Sequence, residues 1–184
     1  LTRRPNPCIP YTQSGKTPNK LASFALRIVG MPTQEKPGSS ALRKGRFSQP
    51  NQIYFVTTVT HERIPWFQAF EFAQVMCRCL ENERLLSGAK PLCWVVMPDH
   101  IHMLIQLADR PLNRVVNNLK SCSSRRLNAT IGRKGRFWDH GFHDHALRKE
   151  EDFKDTARYI VANPLRAGLV NRYGDYPYWN AVWL

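Results

Sequence analysis

The chain has 184 residues, 42% of them hydrophobic and 11% aromatic, with a formal net charge of +13 and a pI near 10.0. That length suits one ordinary domain plus extensions, by a prior of about 100–200 residues per domain, and the apolar share is sufficient for a real core. No apolar run approaches the roughly 18–20 residues of a membrane span, so the chain reads as soluble, and its positive excess is the signature of a protein that meets phosphates, with an anionic membrane surface as the competing partner.

Residues 1–42 differ in composition from the rest. Seven of the thirteen prolines fall in the first 50 residues, with nine Lys or Arg against the single acid Glu35. Such a segment cannot bury enough apolar surface to offset its ordering entropy, and a disordered, basic, Pro-rich tail is expected. The first residue is Leu, and Met31 lies just ahead of the better-patterned region; a misassigned start upstream explains this, as would a cleaved transit segment. Residues 43–184 are expected to form one domain.

Ile53-Tyr-Phe-Val-Thr-Thr-Val-Thr60 is rich in β-branched and aromatic residues and predicts a strand. Over residues 67–87, Phe67, Phe70, Ala73, Met76 and Leu80 recur at helical spacing, ending before Gly88. Leu92–Met97 reads as a buried strand, Pro98-Asp99 as a turn, and His100–Leu107 as the returning strand. A second helix is expected over 112–130 on Leu112, Val115, Val116, Leu119 and Leu127, broken by Gly132-Arg-Lys-Gly135. Residues 137–147 plausibly hold a further strand, and Glu150–Ala162 a last helix closed by Asn163-Pro164. The order β-α-β-β-α-β-α is the α+β, ferredoxin-like (RRM-like) arrangement of an antiparallel sheet with helices on one face, plus one appended tyrosine-bearing helix. The strand of His100 would then be central. The aromatic terminus YGDYPYWNAVWL should pack back on the domain, since free aromatics in water are costly. Five cysteines form no CxxC pair and no even framework, which points to a reduced, cytoplasmic protein.

The chemistry centres on MPDHIHMLI, residues 97–105. A strand sends residues i and i+2 to one face, so His100 and His102 emerge side by side, half of a metal site. In RYIVANP, residues 158–164, Tyr159 and Asn163 are i and i+4 and share a helix face. Folded over the sheet, that helix would bring an amide oxygen and a phenol to the histidines. Imidazole plus carbonyl oxygen with open positions suits Mg²⁺ or Mn²⁺ bound to a phosphate; a structural zinc would want more His or Cys. A lone His-x-His is more often structural, and a lone helical tyrosine more often packs. The combination, with the charge excess, favours a site.

At these residues a resemblance emerges. MPDHIHMLI resembles the His-hydrophobic-His (HUH) motif of single-tyrosine transposases, and YIVANPLRAGLV is similar to the tyrosine helix of the REP-associated tyrosine transposases. GRFSQPNQIYFVTTVT resembles that family's first strand, LKSCSSRRLN its basic second helix, and FWDHGFHDHALR the segment ahead of the tyrosine helix. The likeness runs from about Gly45 to Trp183 in five ordered blocks. It implies cleavage of single-stranded DNA through a 5′-phosphotyrosine at hairpins of repetitive extragenic palindromes, with a free 3′-hydroxyl, in a bacterial cytoplasm and on its nucleoid, by a monomer or homodimer. By position it makes Tyr159 the nucleophile and His100, His102 and Asn163 the ligands of Mg²⁺ or Mn²⁺; related insertion-sequence transposases carry Gln at the Asn163 place.

Further candidates for DNA contact are Arg114, Lys120, Ser121, Arg125 and Arg126 on the second helix, where small hydroxyls accompany the charges. Arg133, Lys134 and Arg136, followed by Phe137 and Trp138, have the basic-plus-stacking pattern of single-strand binders. His143 and His145 form a second His-x-His around Asp144 and read as polar strand residues near the cleft, with DNA contact as the functional alternative; His61 and His140 read as solvated turn residues. Two other functions are open. A non-catalytic ferredoxin-like nucleic-acid-binding protein would tolerate loss of Tyr159. A metal-dependent hydrolase would need clustered carboxylates, and the only one near the motif, Asp99, should be pointed away by its turn.

Overall fold

The computed structural model describes residues 48–147 and 150–183. The tail expected over residues 1–42, and the Met31 alternative within it, lie outside the described residues.

Among the described residues five strands form one sheet: β1 (Ile53–Val59), β2 (Lys90–Met97), β3 (His100–Gln106), β4 (His143–Leu147) and β5 (Trp179–Ala181). Their order is β4-β1-β3-β2-β5, antiparallel throughout. The first four strands have the expected ferredoxin-like order, with β3 at the centre. The fifth was not expected as a strand. It adds to the edge at β2 through Val95 opposite Trp179, and the segment ahead of it is tied in by Tyr176 Oη–H donating to Val96 O at 2.7 Å. The aromatic terminus therefore packs back in part: Tyr176 and Tyr178 are buried, while Tyr173 and Trp183 stay exposed.

Four α-helices are formed among the described residues: α1 (Phe70–Leu80), α2 (Leu112–Thr130), α3 (Glu150–Val161) and the single turn α4 (Asn163–Arg166). The α1 range corrects the expected 67–87. Phe67 sits on a separate 3-10 turn behind Pro65. After Leu80 the Asn82 side-chain oxygen accepts from Arg84 N–H at 3.1 Å, so a local turn outcompetes the helix there. Helix α2 has the expected bounds. Gly132, at φ +62°, supplies the left-handed residue that lets the N–H groups of residues 132 and 133 close on Ala129 O and Asn128 O.

The expected helices on one face are α1 and α2, and the appended helix is α3. Pairing puts Phe55, Thr57, Val95, His100, His102 and Leu104 on one face of the sheet, because direct cross-strand partners share a side. The opposite face carries Val56, Ile101, Met103 and Ile105, each 0% exposed. Helix α1 lies against α2 and β2, and the two helices bury Phe72, Met76, Leu80, Val115, Val116 and Leu119. Helix α3 takes the histidine face instead: the Cys93 thiol reaches Ala157 O at 3.8 Å. No described helix is long and apolar enough to cross a membrane.

A second cluster locks α2 to the loop before β4. Phe67, Phe72, Phe137 and Trp138 pack ring on ring, with centroids 5.4–6.4 Å apart. Trp138 Nε1–H donates to Ser123 Oγ at 3.0 Å, and Ser123 is 0% exposed. Ser123→Ala leaves that indole N–H without its acceptor and should lower stability by about 1–3 kcal/mol in urea melts. Ser121→Ala, on the exposed side of the same helix, should stay within about 0.5 kcal/mol of the parent.

Candidate active site

The turn of the β2–β3 hairpin decides where the first histidine points. Phe67 N–H donates to Pro98 O at 3.0 Å, and Thr60 gives both its N–H and its hydroxyl to Asp99 O at 2.9 Å. With both turn carbonyls held from outside, the Asp99 side chain lies back along the strand. Its Oδ1 sits 2.5 Å from His100 Nδ1, and its Oδ2 accepts from Arg63 at 3.0 Å. The expectation that the turn points Asp99 away is thus corrected. Burial pushes the Asp99 carboxyl up, but the hydrogen bond and charge of His100, then those of Arg63, take it below the ordinary carboxylate range. Arg63 is aimed by an unusual turn, in which Glu62 and Arg63 both have positive φ, 56° and 54°, a conformation that costs non-glycine residues free energy and concentrates at functional sites.

His102 is anchored from β1, where Thr57 Oγ1 lies 2.8 Å from its Nδ1. The Nε2 atoms of His100 and His102 then meet 3.2 Å apart, with the ring planes at 77°. In the neutral tautomer that donates Nδ1–H to Asp99, the His100 Nε2 carries the lone pair. Burial, and next the charge of His100, hold the His102 imidazole well below its ordinary pKa, so it is neutral at pH 7. Neutral imidazoles are the metal-binding form, and an outer carboxylate on the far nitrogen is the usual companion of a metal-bound histidine. The converging Nε2 atoms of His100 and His102 would together hold a divalent cation. Among the described residues no group of three His, Cys, Asp or Glu side chains is placed to hold a metal ion. The donor set therefore fits an ion that completes its shell with water or phosphate oxygen.

Tyr159 reaches this face from α3. Its ring meets Phe55 edge-on at 6.4 Å, and Phe55 stacks on His102 at 5.4 Å with the planes at 28°. One phenylalanine thus separates the phenol ring from the buried imidazole. The guanidinium carbon of Arg166 lies 4.5 Å from the centroid of the Tyr159 ring. Asn163 closes the C-terminal end of α3. Its Nδ2 donates to Tyr159 O at 2.9 Å and Ile160 O at 3.3 Å, taking up the Ile160 carbonyl left by Pro164, which has no N–H to give four residues back. It makes no hydrogen bond to either imidazole, and among the described residues nothing donates to its Oδ1.

The residues proposed for DNA contact separate into four groups. Arg114, Ser121, Arg125, Lys134 and Arg136 are exposed, and Arg125 also donates to Cys122 Sγ at 3.2 Å. His143 and His145 are exposed on edge strand β4, opposite Thr57 and Phe55 and so on the face of the histidine pair. Lys120, Arg126 and Arg133 are engaged with the protein. The Lys120 ammonium donates to Asp139 O and Gly141 O, and burial pushes its pKa down to about 8. Arg126 extends toward Cys79, and Arg133 lies over the Trp66 ring and donates to Asn128 and Arg136 O. The stacking role read for Phe137 and Trp138 is corrected: they are 2% and 5% exposed, and neither ring has a face to offer a base. His61 also differs from the solvated residue expected, since its Nδ1 is buried without a hydrogen-bond partner among the described residues; His140 is exposed as expected.

Phe55, Thr57, Arg63 and Arg166 escaped the sequence reading. Alternation along β1 carries a signal for Phe55 and Thr57, and the i, i+4, i+7 spacing of Tyr159, Asn163 and Arg166 carries one for the last.

A family model described as Transposase IS200 like matches residues 48–163. The chain is 29% identical over 140 residues to a REP-associated tyrosine transposase of Haemophilus influenzae, covering 68% of this chain and 77% of that protein. It is 29% identical over 87 residues to the REP-associated tyrosine transposase of Escherichia coli, covering 46% and 50%. Its fold is similar to that of the solved REP-associated tyrosine transposase bound to a REP hairpin, with a TM-score of 0.61, 20% identity, and coverage of 73% of this chain and 79% of that one.

The seat of α3 on the histidine face can be checked by thiol chemistry. Burial pushes the Cys93 thiol up to about 12, and Cys93 lies beneath α3. Iodoacetamide at pH 8 should alkylate the partly exposed Cys122 in the native protein and spare Cys93 until denaturant is added, as read by mass spectrometry. Equal native labelling of the two would show that α3 does not cover the sheet there.

Proposed function

Because the chain belongs to the IS200-like transposase family, we propose that it cuts and rejoins single-stranded DNA beside hairpins of repetitive extragenic palindromes, through a covalent bond between Tyr159 and a 5′ phosphate. The observation that carries this reading is the packing of the Tyr159 and His102 rings on either side of Phe55. That packing gathers the phenol and the imidazole pair over one sheet face. The solved relative of like fold was bound to a REP hairpin, which supports a hairpin as the partner. The place of action is the bacterial cytoplasm, on the nucleoid.

His100 and His102 would hold Mg²⁺ or Mn²⁺, with Asn163 Oδ1 as the third protein ligand. Such an ion would polarise the scissile phosphate and ease attack by a weak nucleophile. The residues around it prepare the reaction. Asp99 fixes the His100 tautomer, Thr57 holds the His102 ring, and burial keeps His102 neutral. Phe55 and Arg166 restrict the phenol ring of Tyr159, which cuts the orientational freedom lost on reaching the phosphate. Attack by the Tyr159 oxygen replaces one phosphodiester by another and expels a 3′-hydroxyl. Reversal of the same step rejoins strands without ATP, since covalent catalysis splits the exchange into two comparable steps.

The hydrolase alternative loses ground in this geometry. Asp99 does face the site, but both of its oxygens are engaged by His100 and Arg63, so it is an orienting group and not a free base.

The test uses a pool of end-labelled oligonucleotides, each a hairpin with a random single-stranded flank. Wild-type protein with Mn²⁺ should give an adduct that survives denaturing gels, and chelator should abolish it. Tyr159→Phe keeps the ring packing and should lose adduct by roughly 1,000-fold or more, with hairpin binding retained. Full adduct from the Phe variant, or adduct mapped to Tyr173, Tyr176 or Tyr178, would refute the assignment.

A further inference from the structure

Arg166 occupies an unusual place for a surface arginine. Its guanidinium carbon stands 4.5 Å from the centroid of the Tyr159 ring, while the edge of Phe55 takes another side of that ring. Its backbone is fixed: Arg166 N–H donates to Ala162 O at 3.0 Å, and the turn behind it is closed by Leu169 N–H on Pro164 O at 2.9 Å. Its side chain is otherwise uncommitted. Arg63 is paired with Asp99 at 3.0 Å and Arg158 with Asp155 at 2.7 Å. Among the described residues no carboxylate pairs with Arg166, and none of its side-chain N–H groups donates to a protein acceptor.

We propose that Arg166 is a catalytic residue that binds the phosphodiester attacked by Tyr159 and then carried on it. The proposal rests on the reading of Tyr159 as nucleophile. A guanidinium stacked on an aromatic face keeps its N–H donors in the plane parallel to the ring, free to reach past the ring's rim. The phenol oxygen sits on that rim, so a phosphate approaching it comes within reach of the guanidinium fork, whose geometry matches two non-bridging oxygens. In the step, the bond from Tyr159 oxygen to phosphorus forms as the bond from phosphorus to the 3′-oxygen breaks. The phenol proton passes to solvent, and the 3′-oxygen takes one up and leaves as a hydroxyl, so no oxidant or reductant is required. The negative charge on the non-bridging oxygens is greatest in effect at the transition state, where a preorganised cation is most valuable.

The experiment compares the full-length protein with Arg166→Met and Arg166→Lys, using the labelled hairpin pool and Mn²⁺. Methionine keeps bulk against the ring and removes the charge; lysine keeps the charge and removes the fork. The Met variant should form adduct about 100-fold more slowly than wild type, the cost of losing one preorganised donor to the reacting oxygens. Binding of the pool should stay within about twofold, since one phosphate contact among many is lost. The Lys variant should recover to within about tenfold of wild type, because charge survives without bidentate geometry. Thermal melting should be unchanged for both, as the side chain is exposed, and Arg166→Gln replaces the Met variant if that one melts early. Adduct formation by the neutral variant within about threefold of wild type overturns the proposal, because a lost charge contact to the phosphate costs more than that. So does a Lys variant no faster than the neutral one, which would leave only ring packing. Absence of wild-type adduct, or undiminished adduct from Tyr159→Phe, overturns the nucleophile reading and this proposal with it. A slow neutral Arg166 variant supports the proposal when Tyr159→Phe forms no adduct beside it, which separates its failure from failure of the nucleophile reading.

Discussion

The hydrogen bonding of β3 on both of its edges is the constraint on which the site depends. With β1 on one side and β2 on the other, the strand cannot slip by one residue without turning its whole apolar set to the wrong face. That register fixes which side His100 and His102 occupy. It also sets Thr57 opposite His102, where the Thr57 hydroxyl holds the imidazole. Pairing in the backbone thus becomes orientation in the side chains, and the two Nε2 atoms converge because neither strand nor ring is free to turn.

Around this fixed pair the chain spends local conformational energy. Two consecutive non-glycine residues, Glu62 and Arg63, adopt positive φ, each at a cost on the order of 1–3 kcal/mol. The Thr60 hydroxyl, in contact with both Ile64 O and Asp99 O, holds that turn. The result is the series Arg63, Asp99, His100, in which charge is balanced outward from the imidazole. On the other side, Pro164 ends α3, Asn163 covers the carbonyl thus freed, and α4 carries Arg166 back over Tyr159. Both halves rely on a local break in regular structure to aim a long side chain.

Most of the sheet and all of α2 were legible in the sequence, since β1 is rich in β-branched and aromatic residues, β2 and β3 are short apolar runs around a Pro-Asp turn, and α2 has a clean 3.6-residue stripe closed by a glycine signal. The histidine pair and the helix of Tyr159 were legible for the same reason: period alone puts each set on one face. The misreadings have a common physical cause, which is dependence on partners distant in the chain. Asp99 turns toward His100 because Thr60, 39 residues earlier, binds its carbonyl. Phe137 and Trp138 are buried because Trp66, Phe67 and Phe72 come from the other side of the domain. Lys120 finds its acceptors 19 and 21 residues onward. Strand β5 is three residues long and exists through its pairing with β2, which no local propensity encodes. The boundary of α1 failed for a local reason, the Asn82 turn, and that signal was present.

In the proposed mechanism the two imidazoles of β3 would hold a divalent cation beneath the tyrosine helix. Anomalous diffraction from crystals soaked in Mn²⁺ tests it directly. One strong peak is expected within bonding distance of Nε2 of both His100 and His102, on the side of the sheet covered by α3. A peak at the exposed pair His143 and His145 with none between His100 and His102, or no peak at saturating Mn²⁺, would contradict it.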